Sequence, residues 1–497
     1  MIAASVASLI LVANCAADAA SKPHGIVSFP YRDGSLNGSR AKFSDVTIDK
    51  FHGVQITTEA GADYPSVEIK SSHGKWDLTG FDAVEMEVRN PQDVPVRVLL
   101  SVNNPGADGR NHCNVESVNF PAHDKGTLTV PFGVWHGDMG HPLDLSNIVS
   151  LEVLLDKPGR SHTFIVGDIR AIRFDESRLQ QKMADPFFEK MTARFGRGVN
   201  LGNALEAPHE GDWGVKLKEE YFKRIAEAGF NSVRIPVRWS AHADAAAPYT
   251  IDAKFFERVD WAVDQALRRK LLVVLNMHHF DGMMKDPANH RERFVALWKQ
   301  IAEHFKDRPP EVAFELLNEP QDKLTAEEWN RDLAAALAVV RQSNPTRDVV
   351  IGPVHWNAIS ELNSLKLPDD DRHLIVTVHY YLPFHFTHQG ADFVSGAQQW
   401  LGTKWSGTLA EKQAITRDFD TALDWAVAHH RPMYLGEFGS YEKADMESRV
   451  RWTRFIADEA LKRKMSIAYW EFCSGFGCYD PKRDQWIASI RNALLGK

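Results

Sequence analysis

The chain is 497 residues long, with 44% hydrophobic and 25% charged residues, which excludes a disordered protein and fits a globular one too large for one ordinary core. Its net charge of -8 argues against a polyanionic partner such as nucleic acid, which needs clustered Lys and Arg, and favours a neutral ligand. After the first twenty residues, no stretch has the roughly 20 continuous apolar residues that a membrane span needs.

Residues 1–20 hold an apolar run at 3–13 followed by small residues, with no Lys or Arg before Lys22, and resemble a signal peptide. A lipoprotein signal with an acylated Cys15 is the alternative. The expected location is secreted or periplasmic, or lipid-anchored at the cell surface. From 22 to 175 short alternating runs are punctuated by Gly, Pro, Asn and Asp, with no helical period. Val84, Met86 and Val88 alternate with Glu85, Glu87 and Arg89, and strands are predicted at 96–102, 127–132, 150–155 and 163–174. This spacing predicts an all-β sandwich or jelly roll.

A polar stretch at 176–186 reads as a linker, and from 187 to 497 the rhythm becomes strand, loop, amphipathic helix. Eight short apolar runs occur at 198–201, 232–235, 271–275, 312–317, 349–351, 374–378, 433–435 and 466–469. Between them lie helical stripes such as Phe256, Val259, Val263, Ala266 and Leu267, or Ile415, Phe419, Leu423 and Ala426. Thr325 and Glu328 form a capping-box signal. Eight such units predict a closed (β/α)8 barrel. A doubly wound open sheet is disfavoured, because no Gly-rich phosphate turn follows the first run.

In such a barrel the reacting groups project from the C-terminal ends of the strands. The runs end in Asn203 and Glu206, Arg234, His278 and His279, Asn318 and Glu319, His355 and Trp356, His379 and Tyr381, Glu437, and Trp470 and Glu471. Glu319 and Glu437, from runs four and seven, would face each other across the barrel. Two carboxylates in one cleft are the minimal machinery for cleaving a glycosidic bond, one donating a proton and the other supplying negative charge. Arg234 and Tyr381 are expected to keep Glu437 ionised, while Glu319 stays protonated.

His278, His279, His379, His385 and His388 raise a metal site as an alternative, but no carboxylate stands at ligand spacing from the adjacent pair, and neither metal nor cofactor is expected. Trp470 suits stacking on the apolar face of a sugar ring. Trp213, Trp356, Phe393, Trp400 and Trp405 fall in rim loops, where they would line outer sugar subsites or pack. Cys113 stands alone, and Cys473 and Cys478 are close enough to pair or remain two free thiols.

With these residues in view, 187–497 resembles glycoside hydrolase family 5, in particular its bacterial endo-β-1,4-glucanases. The resemblance is carried by Arg-Gly-Val-Asn-Leu-Gly-Asn-Ala-Leu-Glu at 197–206, Val-Arg-Ile-Pro-Val-Arg-Trp at 233–239, Met-His-His at 277–279, Phe-Glu-Leu-Leu-Asn-Glu-Pro at 314–320, His-Tyr-Tyr at 379–381, Tyr-Leu-Gly-Glu-Phe-Gly at 434–439 and Tyr-Trp-Glu-Phe at 469–472. It implies a retaining enzyme with Glu319 as acid/base and Glu437 as nucleophile. It further implies that Asn318 contacts the sugar 2-hydroxyl, that Arg234, His379 and Tyr381 support the nucleophile, and that Asn203, Glu206, His278, His279 and Trp470 line the subsite at the cleaved bond.

The Asn-Ala-Leu-Glu-Ala-Pro segment is similar to that of enzymes accepting both glucan and mannan. The implied partner is therefore a polysaccharide (β-glucan, glucomannan or mannan), acted on by a monomer. Phe393 stands where relatives would carry an indole. Residues 22–175 resemble jelly-roll carbohydrate-binding modules through 76–82 and 166–174, with Tyr64, Trp135 and Phe120 as candidates for stacking or for packing. The competing readings are a mannanase or xyloglucanase of the same fold, a noncatalytic glycan-binding protein, and a metal-dependent hydrolase.

Overall fold

A computed structural model of the chain describes residues 24–48, 51–135, 138–139, 143–173, 179 and 184–497. The targeting segment at 1–20 with Cys15, Phe174 and most of the 176–186 linker lie outside the described residues. The chain divides into two compact units, Met1–Leu179 and Gln180–Lys497.

The first unit is a β-sandwich. One sheet runs Ala41–Ile48, Phe51–Thr58, Thr163–Ile172, Ala83–Arg89, Lys125–Pro131, with His24–Val27 beside Thr163–Ile172. The other runs Asp138–Met139, Val134–Trp135, Cys113–Phe120, Val96–Asn103, Ser150–Leu154, Ser66–Ser71, Gly34–Ser39. Alternation decides which side chains face inward: Val84, Met86 and Val88 of one sheet share a core with Val98, Leu100 and Val102 of the other. Strands such as Gly34–Ser39 and Ala41–Ile48 escape a reading by alternation because neither of their faces is buried.

The second unit is a closed barrel of eight parallel strands: Arg197–Asn200, Ser232–Ile235, Leu272–Asn276, Val312–Glu315, Val349–Ile351, Leu374–His379, Met433–Phe438 and Ser466–Tyr469. Val199 pairs with Tyr469, so the last strand returns to the first and no edge is left open. Helices cover the outside, including Ala253–Arg268, which turns Val259, Val263 and Ala266 inward. The capping box of Thr325 and Glu328 opens the helix Ala326–Ser343, and Thr408 and Glu411 open Leu409–His429 in the same way.

The barrel axis is filled. Val274, Ala313, Val350, Ile375, Tyr434 and Ala468 form an apolar layer with Phe195, which precedes the first strand and meets the Tyr434 ring edge-on at 5.2 Å. Ser232 and Ser466 are buried at the N-terminal ends of their strands, Ser466 Oγ accepting from the Phe195 N–H at 2.9 Å, while Arg234, Glu315 and Glu437 stand farther along, toward the C-terminal ends. Phe195→Ala would open the barrel floor, and we expect it to lower stability by about 3–5 kcal/mol in urea unfolding followed by tryptophan fluorescence. A loss below about 1 kcal/mol would show that the floor is not needed to fill the barrel.

Candidate active site

The site is built around Arg234, wholly buried on the second barrel strand. A guanidinium has five N–H donors in a fixed plane, and here each has an acceptor. Nε and Nη2 donate to the two carboxylate oxygens of Glu315, both at 2.7 Å. Nη1 donates to Glu437 Oε1 at 2.7 Å and to Asn200 Oδ1 at 2.9 Å, and Nη2 also donates to Asn318 Oδ1 at 2.6 Å. Burial works against the charged guanidinium, yet the Glu315 and Glu437 carboxylates hold its pKa above the ordinary arginine value. Asn200 in turn donates through Nδ2 to the carbonyl of Gly436 at 2.9 Å, tying strand one to strand seven.

Glu437 takes a further hydrogen bond at Oε2 from the Tyr381 hydroxyl, at 2.9 Å. Its partner Glu319 stands just past the fourth strand in a left-handed conformation, φ 48°, with its side chain 24% exposed. His379 Nδ1 lies 2.7 Å from Glu319 Oε1 and 3.6 Å from Glu437 Oε2. The histidine is therefore wedged between the two acids, whose nearest oxygens lie within 4.8 Å of each other. By spacing, these same three side chains could share a cation, but Arg234 and Tyr381 already donate to both oxygens of Glu437.

Burial raises both carboxyl pKa values. Glu319 is pushed up to about 7 by burial, with Arg234 pulling down and Glu315 pushing up. Glu437 is also raised by burial, but His379 and Arg234 oppose that and Glu319 reinforces it. With an arginine and a phenol as donors, Glu437 is the better-supported anion. Burial lowers His379 to about 4, so its imidazole is neutral at pH 7.

Trp470, at the end of strand eight, stacks on His278 with ring centroids 5.4 Å apart and planes 8° apart. His278 meets His279 edge-on at 4.7 Å, and His279 meets Trp213 at 5.5 Å. These rings form a wall beside the acids. Asn203 donates to Ser474 Oγ at 3.0 Å. Glu206 acts locally, because its carboxylate accepts the backbone N–H groups of Asn203 and Ala204 and so closes its own turn.

Farther out, Trp356 and Phe393 are 56% and 65% exposed. Trp405, in contrast, is fully buried and belongs to the core, and Trp400 is half-buried against His385 with centroids 4.3 Å apart. His388 is buried among rings, stacked on Phe384 at 4.0 Å. Cys473 and Cys478 are both free and buried.

The residues that sequence reasoning missed hold the functional groups rather than act themselves. Glu315 was visible as a carboxylate inside an apolar strand, an unfavourable placement without a cation opposite. Asn200 and Asn357 gave no such sign, being uncharged.

Residues 195–475 match the family described as Cellulase (glycosyl hydrolase family 5). Endoglucanase H of Acetivibrio thermocellus is 41% identical over 290 residues, covering 58% of this chain, which spans only about a third of that relative (31%). Cel5A of Thermotoga maritima, solved in complex with mannotriose, is 50% identical with a TM-score of 0.60, covering 62% of this chain and 99% of that one. The same protein was solved with cellobiose, again at 50% identity and a TM-score of 0.60, covering 62% of this chain and all of that one (100%).

Glu471, beside Trp470, is buried, and its Oε2 has no partner. Burial, reinforced by Glu206, pushes its pKa to about 8. A carboxyl with a folded pKa above its unfolded value gives stability that is complete below the unfolded pKa and lost as pH rises through the folded one. Wild type should therefore lose stability relative to Glu471→Gln between about pH 5 and pH 8. Thermal unfolding of both proteins across that range would show it, and parallel Tm curves would contradict it.

Proposed function

The chain belongs to glycosyl hydrolase family 5, and from that premise we propose that it is a retaining endo-β-1,4-glucanase using Glu437 as nucleophile and Glu319 as acid/base. The observation that carries this reading is the short gap between the two acids, with oxygens within 4.8 Å. Retaining glycosidases hold their carboxyls about 5–5.5 Å apart, whereas inverting ones leave about 6.5–9.5 Å for a water molecule.

In the first half-reaction Glu437 attacks the anomeric carbon while Glu319 protonates the departing glycosidic oxygen, giving a covalent glycosyl-enzyme. In the second, ionised Glu319 takes a proton from water, the water oxygen bonds to the anomeric carbon, and Glu437 leaves. Arg234 and Tyr381 stabilise the Glu437 carboxylate before attack and after release. Trp470 offers its face to the glycone ring. The substrate is a neutral β-1,4-linked glucan. Mannan-containing polymers are a second reading, favoured because a 50% identical relative was solved with both cellobiose and mannotriose.

Glu437→Ala should abolish turnover on every substrate. Glu319→Ala should lose polymer cleavage by about 10²–10⁴-fold yet keep attack on aryl glycosides whose leaving group needs no proton. Equal losses on both substrate types would contradict the roles. For the wild type, kcat/KM should fall on the alkaline side with a midpoint near 7, as free Glu319 loses its proton. Proton NMR of fresh product should show the retained anomer.

For the sandwich unit we propose glycan binding. Tyr64 is 50% exposed at its surface, with the Lys157 ammonium 5.6 Å from the ring centroid, whereas Phe120 is buried and Trp135 donates through Nε1 to the Gly109 carbonyl. The full chain carrying Glu437→Ala should be retarded in gels containing cellulose derivatives, glucomannan or mannan, and Tyr64→Ala should weaken that retardation. Identical mobility with and without every polymer would argue against a binding role.

A further inference from the structure

We propose that Asn357 is a positioning residue that sets the tautomer of His379 and thereby keeps the transferable proton of Glu319 on the oxygen open to the substrate. This rests on Glu319 being the acid. Asn357 is fully buried after the fifth strand, the last of three consecutive residues in left-handed backbone, with φ 56° at His355, 59° at Trp356 and 57° at Asn357. Its side-chain nitrogen lies 3.2 Å from His379 Nε2. Its Oδ1 has no hydrogen-bond partner.

The two edges of the imidazole face different company. Two carboxylate oxygens converge on Nδ1, Glu319 Oε1 at 2.7 Å and Glu437 Oε2 at 3.6 Å, while Nε2 faces the amide of Asn357. Burial keeps the ring neutral, so it carries a single N–H. Acceptors at Nδ1 and a donor at Nε2 place that proton on Nδ1. The Asn357 N–H then donates to the bare Nε2, and the Nδ1–H donates to Glu319 Oε1.

An oxygen that accepts from Nδ1–H is poorly placed to hold the acid proton, which therefore resides on Oε2. During cleavage the Oε2–H bond breaks as the bond from hydrogen to the leaving oxygen forms. When water attacks, its proton returns to Oε2, and His379 neither gains nor loses one. With the opposite tautomer the Nδ1 lone pair would accept the Glu319 O–H and draw it away from the glycosidic oxygen. Asn357 thus decides which way the acid points without touching the sugar.

Nitrogen-15 NMR of the histidine-labelled full chain should show His379 protonated at Nδ1 and bare at Nε2. Asn357→Asp puts an acceptor opposite Nε2 and should reverse the tautomer. Its kcat on β-glucan should fall by about a hundredfold, while the burst of dinitrophenol from an activated aryl cellobioside keeps its wild-type rate, because that leaving group needs no proton. Asn357→Gly keeps the left-handed backbone, removes the amide, and should give a smaller loss with both tautomers present.

The proposal is overturned if wild-type His379 carries its proton on Nε2, or if the Asp variant reverses the tautomer and the polymer and burst rates then change together or not at all. A wild type that leaves β-1,4-glucan uncut would instead defeat the proposed function.

Discussion

One buried cation organises the barrel unit. Arg234 commits all five of its N–H donors to side chains from strands one, four and seven and from the turn after strand four. A guanidinium in this position would be untenable alone, and breaking such a buried pair typically costs about 3–5 kcal/mol. The consequence is geometric. The proposed nucleophile cannot shift without disturbing Glu315 and Asn200, while Glu319 is held separately by His379.

The charge count matters as much as the geometry. Arg234 faces two carboxylates, Glu315 and Glu437, so it can balance the charge of only one of them. Another carboxyl in that field resists ionising, and Glu319, Glu206 and Glu471 all have raised pKa values. Burial is the first cause for each. Burial, ahead of any neighbouring charge, therefore keeps the Glu319 carboxyl raised. Among the charges, Arg234 pulls Glu319 down and Glu315 opposes it.

This network holds Glu437 and Asn318 in place through Arg234. Around it stand aromatic rings: Trp470 stacked on His278, and the exposed Trp356 and Phe393 farther out. The loop after strand eight links these regions. Phe472 N–H donates to the Asn200 carbonyl at 3.0 Å, while Phe476 packs against Tyr381, Phe393 and Tyr441. A change in that loop would reach both the wall beside the acids and the outer platform.

The barrel was legible in the sequence because its strands are buried on every side. A strand with no solvent face reads as a continuous apolar run, and all eight emerged with their ends close to those observed. The acids, Arg234, His379 and Tyr381 were legible because charged or hydrogen-bonding groups at the ends of such runs need a reason to be there. The sandwich was legible only in class, since edge strands such as Gly34–Ser39 bury neither face and leave no period to detect. Tertiary structure alone decided the partners. Nothing local distinguishes Trp405, which is core, from Trp356, which is rim, because exposure depends on what the rest of the chain lays over each. Nor could the sequence assign Glu315 to Arg234 or Asn357 to His379. Hydrogen bonds between residues 22 to 81 positions apart are products of barrel closure, and closure is a property of eight strands together.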